Sequence, residues 1–364
     1  MFKSINQYII NEYIKSLFIV ITVMLSIILL INLLDEFNFF KSKKDIKFII
    51  FLVFTILKIP NVIVNLFPFI ILFSGIVFYL KIYNHNEVIS LRVMGYSNIQ
   101  IILIPALTSF VIGLLIVFLI VPFSSSMLKY YEELKSEYND TKNLVFVNET
   151  GIWILDKSEK EKNIIRIEKI NKNFSTASQI TIYNYDASNN FIKRIDAKEG
   201  IINDKNWQLN NVYIVTANKK NNKENYLDNY SYNSNVNINE LKNVYKNTET
   251  TSLLNINKEM LILEDKGYST IDLRIRYQKL ISFPIFLLAM SILSGLMIIN
   301  LGKTSNYLKY GIYGVIISII IYFLNDLSIT IAKSGIISVD FSVWIPIFLI
   351  ILVNLAGIIQ VNAK

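Results

Sequence analysis

Glu87 and Arg92 stand five residues apart in a short polar segment, Asn84 to Gln100, which reads NHNEVISLRVMGYSNIQ between two long apolar runs. These residue types suit charge-mediated docking rather than bond-making, since a carboxylate and a guanidinium each hold an ionised partner strongly. Val88, Ile89, Leu91, Val93 and Met94 add apolar contact area around them. Asn86 offers a helix cap, Glu87 meets the positive end of a helix dipole, Gly95 supplies a stop, and Ser97 or Asn98 can cap the next span. Residues 84–97 thus read as a two-turn helix, with Glu87, Leu91, Arg92 and Gly95 as its docking residues. A spacing of five is imperfect for an ion pair within a helix. Arg92 is therefore left open between Glu87, lipid headgroups and a docked partner.

Lys41, Lys43 and Lys44 form a second cluster, and Lys129 stands alone after Pro122. Lysine binds phosphate as a point charge, so these residues suit an anionic headgroup. A solvated, snorkelling cluster is the plain alternative, and Glu132 near Lys129 has the wrong sign for a phosphate contact. No catalytic constellation emerges. The chain has no cysteine and one histidine, His85, which removes thiol chemistry, disulfides and histidine-rich metal sites. Gly302-Lys303-Thr304 looks like the tail of a phosphate loop, but position 297 is Met where that motif needs Gly, and an apolar run precedes it. Asp326 lies inside another apolar run, a setting in which acids are often functional, although the end of a span makes one ordinary.

These residues must be positioned by membrane helices. The chain of 364 residues is 53% hydrophobic, a membrane composition. Apolar runs at about 13–34, 62–80, 99–121, 280–301, 307–331 and 342–359 are each long enough to cross a bilayer. The first lacks a following small-x-small cleavage site and reads as a retained helix. Phe48 to Leu57 is too short to cross and reads as a packed leading helix, kinked from span two by Pro60, with Pro68 a second bend. Pro122 closes span three.

Residues 123–270 differ in character. Short alternating runs, such as 163–170, 179–185 and, with a slip, 207–215, are separated by turn clusters at 186–190 and 203–206. This pattern predicts an all-β domain. The polar run 218–235 reads as a long loop. The fold class is six transmembrane helices with an inserted all-β, jellyroll-like domain: residues 1–122, 123–270 and 271–364. Residues 123–270 carry 20 basic and 20 acidic groups, so the whole excess of the +8 net charge flanks the spans. Nucleic acid is an unlikely partner for such a distribution, and anionic lipid surfaces fit better. Lys3, Lys15, Lys81, Arg92, Lys303, Lys309 and Lys364 mark the terminal side as cytoplasmic. The cluster from Lys41 onward breaks that rule.

Several stretches resemble the LptF/LptG (YjgP/YjgQ) permease family of lipopolysaccharide exporters. They are Phe67-Pro68 running on to Glu87-Val-Ile-Ser-Leu-Arg-Val-Met-Gly-Tyr-Ser97, then Gly151-Ile-Trp-Ile-Leu-Asp156, then Arg276-Tyr-Gln-Lys279 with Pro284. Tyr322-Phe-Leu-Asn-Asp326 and Trp344-Ile-Pro346 complete the set. Leu33-Leu-Asp-Glu36 looks more like the G paralogue. The resemblance implies an inner-membrane ABC transporter subunit with its β domain in the periplasm. It implies pairing with a paralogous permease on a cytoplasmic ATPase dimer that binds the ATP. Glu87 would engage that ATPase, Lys41, Lys43, Lys44 and Lys129 would face the lipopolysaccharide, and a periplasmic bridge protein with a single-span anchor would receive it. No cofactor is implied for the chain itself. Two rivals are a membrane-anchored sensor or scaffold with a ligand-binding β domain, and a mechanical ABC subunit without membrane cargo. Six spans and no cytoplasmic output domain weigh against the sensor; three spans on each side argue for a cavity.

Overall fold

The computed structural model describes residues 2–362 apart from 42–47, 139–142, 149–150, 158–160, 171–174, 187–189, 204–205, 217–222, 235–246, 266–269 and 302–306. It divides into two compact units. One comprises Met1–Tyr131, Glu249–Leu253 and Arg274–Lys364; the other comprises Glu132–Thr248 and Leu254–Leu273.

The helical unit is built from α1 (Phe2–Phe40), α2 (Phe48–Asn84), α3 (Glu87–Val93), α4 (Asn98–Leu115) and α5 (Val121–Glu137), which starts in this unit. After the β domain and α6 (Leu253–Asp265) come α7 (Ile271–Leu301), α8 (Tyr307–Lys333) and α9 (Val339–Asn362). Among the described residues, six helical stretches are long and apolar enough to cross a membrane. The leading run at Phe48 and span two are one uninterrupted helix that contains both Pro60 and Pro68. Nor does span three end at Pro122. A π-helical stretch, Ile116–Ile120, joins α4 to α5 just before that proline. The wider turn accommodates a residue that lacks an N–H and would crowd the preceding turn.

Two ion pairs fix the register of the antiparallel α1–α2 hairpin. Glu12 receives Lys81 Nζ at 2.5 Å, and Asp35 lies 3.7 Å from Lys58 Nζ. Residues 12 to 35 and 58 to 81 are equal intervals of 23, each rising about 34 Å, close to the roughly 30 Å bilayer core. Between these bands several polar side chains are satisfied within the helices, although among the described residues Asn32 Nδ2 and Ser291 Oγ are buried without a partner. Thr22, Ser26, Ser74, Thr108 and Ser109 hydroxyls donate to carbonyls four residues back, and Asn354 donates to the Ala289 carbonyl across α9 and α7. That is the requirement lipid imposes on any polar group. α7 is the most enclosed helix, and two glycines bring neighbours into backbone range. A methyl on Gly75 would lie 1.9 Å from Ser294 Oγ, and one on Gly113 would lie 2.8 Å from the Pro284 Cα. Small residues at such crossings are the usual means of close helix approach in membranes.

The other unit holds one seven-stranded antiparallel sheet, paired in sequence order. Its strands are β1 (Asn143–Asn148), β2 (Gly151–Lys157), β3 (Glu161–Ile170), β4 (Thr176–Asp186), β5 (Phe191–Asn203), β6 (Asn206–Thr216) and β7 (Lys223–Asn233). One face buries Ile152, Ile154, Ile165, Ile167, Ile180, Ile182, Ile195, Trp207, Leu209 and Val212. The slip in the β6 pattern falls at Asn211, φ +55°, which is unpaired between Asn210 and Val212. Gln179 holds the matching place in β4, φ +54°. The register is the same on both sides of each, and the left-handed residue turns the strand so that Ala177 and Ile180, like Leu209 and Val212, stay on the same face although three apart. The segment read as a long polar loop at 218–235 instead supplies β7. Tyr230 and Tyr232 decide this: both pack on the core, and Tyr232 meets Trp207 edge-on at 6.3 Å. An edge strand exposes its other face, so its Asn, Asp and Glu residues are tolerated there.

Candidate functional site

The sequence places α3 between spans two and three, and the structure shows how it is held. Asn86 occupies the cap position in the left-handed region, φ +54°, and its side chain makes no cap bond. Asn86 therefore reverses the chain without capping the helix. The stop is built as the sequence suggests. Gly95 has φ +91°, its N–H donates to the Arg92 carbonyl, and the Tyr96 N–H reaches back to the Leu91 carbonyl. This is a glycine-terminated helix end. Ser97 then opens α4 with a reciprocal capping box to Gln100.

Two faces emerge. Val88 and Leu91, three apart, are turned inward at 3% and 5% exposure. Leu91 is therefore an anchor of α3, turned away from its outward surface. Ile89, Val93 and Met94 face outward, Val93 at 83%. Sequence reasoning grouped all five apolar residues together. The 3.6-residue period separates them, since 89 and 93 share one face and 88 and 91 another. Arg92 is exposed and donates from Nε to Asn98 Oδ1 at 2.8 Å. Glu87 accepts the Tyr8 hydroxyl at 3.0 Å. The two charges are thus bonded to different elements, and Arg92 is steered toward the start of α4.

α3 is clasped to the beginning of α1 at both ends. Besides the bond from Tyr8 to Glu87, the Tyr96 hydroxyl donates to Asn6 Oδ1 at 2.6 Å. Just ahead of α3, Glu12 is buried and accepts both Lys81 at 2.5 Å and Lys15 at 2.6 Å. Tyr8, Asn6 and Glu12 were not singled out from the sequence. Only Glu12, an acid within five residues of the first apolar run, carries a visible signal. His85 sits exposed in the turn before α3, as a solvated residue would.

The basic residues divide. Lys41 is exposed directly after α1, and Lys129 is exposed on α5; Lys43 and Lys44 lie outside the described residues, as does Gly302-Lys303-Thr304. The ends of α1 and α5 are joined by the Tyr131 hydroxyl, which donates to the buried Glu36 at 2.6 Å. Lys41 and Lys129 thus project from two helices bonded to each other at that end. Glu132 accepts the Asn247 side-chain amide. Asp326 is on an exposed face of α8. Among the described residues, no group of three or more metal-ligating side chains is assembled.

Six apolar helices, a short helix between the second and third, and an antiparallel β insertion between the third and fourth frame the comparison with known proteins. The sequence profile of the lipopolysaccharide export system permease LptF/LptG matches residues 7–360. The chain belongs to the LptF/LptG family. This LptF/LptG permease is accordingly a multi-pass inner-membrane protein and a component of a lipopolysaccharide export system. Among curated proteins, no individual relative matches it. The profile extends across both units, so the β domain belongs to the LptF/LptG permease as much as its spans do.

Proposed function

We propose that this chain is the permease subunit of an ABC transporter that extracts lipopolysaccharide from the inner membrane, and that α3 is its coupling helix. The observation that carries the reading is the outward apolar patch of Ile89, Val93 and Met94 beside Glu87 and Arg92, on a helix clasped to span one. Apolar side chains so exposed on a seven-residue polar connector suit burial under a partner. The partner proposed is a cytoplasmic ATPase dimer, which binds the ATP. Its closure would move α3 and, through Tyr8 and Asn6, span one. The termini and α3 then lie in the cytoplasm and the β domain in the periplasm.

A paralogous permease completes the membrane part, and the Leu33-Leu-Asp-Glu36 end of α1 supports assigning this chain as the G-like paralogue. Lys41, Lys43, Lys44 and Lys129 would meet the phosphates of the cargo. The β domain would receive the lipid and pass it to a periplasmic bridge protein with a single-span anchor. The test is co-purification from detergent with the ATPase, together with Glu87→Ala. Loss of ATPase recovery and of surface lipopolysaccharide is expected; unchanged growth and surface lipopolysaccharide would overturn the reading. Photocrosslinkers at Lys41 should capture lipopolysaccharide, and capture of ordinary phospholipid alone would remove the headgroup assignment.

A further inference from the structure

Residues 249–251, the return link that precedes α6, are gripped by three membrane helices. Arg276 of α7 donates from Nε to the Thr251 carbonyl and from Nη2 to the Glu249 carbonyl, both at 2.7 Å. The same Nη2 lies 3.1 Å from Ser125 Oγ of α5, and that hydroxyl also donates to the Glu249 carbonyl at 3.0 Å. From the other side, α2 reads the Glu249 carboxylate. Asn61 Nδ2 donates to Oε2 at 2.5 Å, and Asn65 Nδ2 donates to Oε1 at 3.0 Å. Asn61 and Asn65 are four apart, one turn above the other on a single helix face. One residue of the link is thus held through its main chain by two spans and through its side chain by a third.

The contacts that join these helices change character along their length. α2 meets α7 at Gly75 and Ser294, and α4 meets α7 at Gly113 and Pro284, with no room for a methyl group. Fourteen residues from Gly75 along α2, at Asn61, the joint is made of hydrogen bonds through the link. Close-packed contacts resist separation. A hydrogen bond, unlike a close-packed contact, can be exchanged for one to water when two helices separate. Relative movement is therefore easiest at the Glu249 end, with the glycine contacts as pivot. The planar arginine fork reads two main-chain carbonyls in one fixed geometry, which a lysine's rotating ammonium does not supply.

We infer that Arg276 is a positioning residue of the transport cycle: with Glu249 it forms a latch at which α2, α5 and α7 part and re-engage. The inference rests on the permease reading. The test uses the full-length chain in its complex with ATPase and partner permease, reconstituted in lipid nanodiscs with purified lipopolysaccharide and ATP. The chain has no native cysteine, so spin labels on Ile56→Cys and Tyr130→Cys report the separation of α2 and α5 without touching the latch. A second distance population is expected under ATP and vanadate, and Arg276→Lys should show it without nucleotide. Arg276→Lys should also lower lipopolysaccharide transfer at least tenfold while ATP hydrolysis stays within twofold. An unchanged distance in every nucleotide state overturns the inference. So does normal transfer by Arg276→Lys, or a parallel fall of hydrolysis and transfer. If that variant does not fold, Glu249→Gln, which keeps the main-chain contacts, must give the same pattern in weaker form, or the inference fails. Failure of the unmutated complex to move lipopolysaccharide would overturn the permease reading itself.

Discussion

Val93→Ala separates binding from folding at α3. The Val93 side chain is 83% exposed in the isolated chain, so truncating it should leave fold stability within about 0.5 kcal/mol, as for surface substitutions generally. Under a docked ATPase the same truncation removes two buried carbon groups at about 0.8 kcal/mol each. Scaled by the available exposure, this gives about 1.3 kcal/mol, or roughly a ninefold weaker Kd. Leu91→Ala should behave in the opposite way. At 5% exposure it creates a cavity, with about 2–5 kcal/mol of lost stability. The assay pairs biolayer interferometry of nanodisc-embedded permease against purified ATPase with thermal unfolding of the permease alone. If Leu91→Ala weakened ATPase binding without lowering Tm, while Val93→Ala changed neither, the two-faced account of α3 would be wrong.

Gly95→Ala, at φ +91°, should strain the α3 terminus by about 1–2 kcal/mol, measurable as a lower Tm, with Gly95→Asn milder. Lys81→Ala leaves the buried Glu12 with only Lys15, which is 67% exposed. We expect about 1–2 kcal/mol of destabilisation, below the 3–5 of a fully buried pair because Lys81 is 42% exposed. Glu12→Gln with Lys81→Met should recover part of that loss, and a double variant worse than either single would exclude the pairing. Gly75→Ala forces a methyl toward Ser294 and should lower detergent thermostability by about 1–3 kcal/mol; adding Ser294→Gly should restore it. Trp207→Ala should destabilise the β domain by about 3–5 kcal/mol, read as an earlier near-ultraviolet circular dichroism transition, with ATPase co-purification unaffected.

Hydropathy alone located all six crossing helices, because each apolar run is longer than any soluble core helix needs. Their ends were harder to read. Proline at 60 and 122 signals a break locally, yet neighbouring helices and a π-helical stretch absorb both, a tertiary override that no local rule contains. β7 escaped notice because an edge strand needs only its inward residues to be apolar, and Tyr230 and Tyr232 supply them as aromatics among asparagines. The α3 segment was legible as an element, including its glycine stop and the Ser97 cap. Which of its side chains faced outward required the helical period and the position of α1. The latch around Glu249 was invisible in sequence because its members, from Asn61 to Arg276, are neighbours only after the chain has left the membrane domain and returned.

The equal 23-residue intervals between the ion pairs of α1 and α2 also give the hairpin a preferred membrane thickness. Charged bands about 34 Å apart cannot both stay wet in a bilayer much thicker than that, and in a thinner one the hairpin must lean to keep apolar surface out of water. Acyl-chain length is thereby a mechanical input to this protein. The lipid it inhabits sets the inclination of span one, and so the resting position of the short helix clasped to its end.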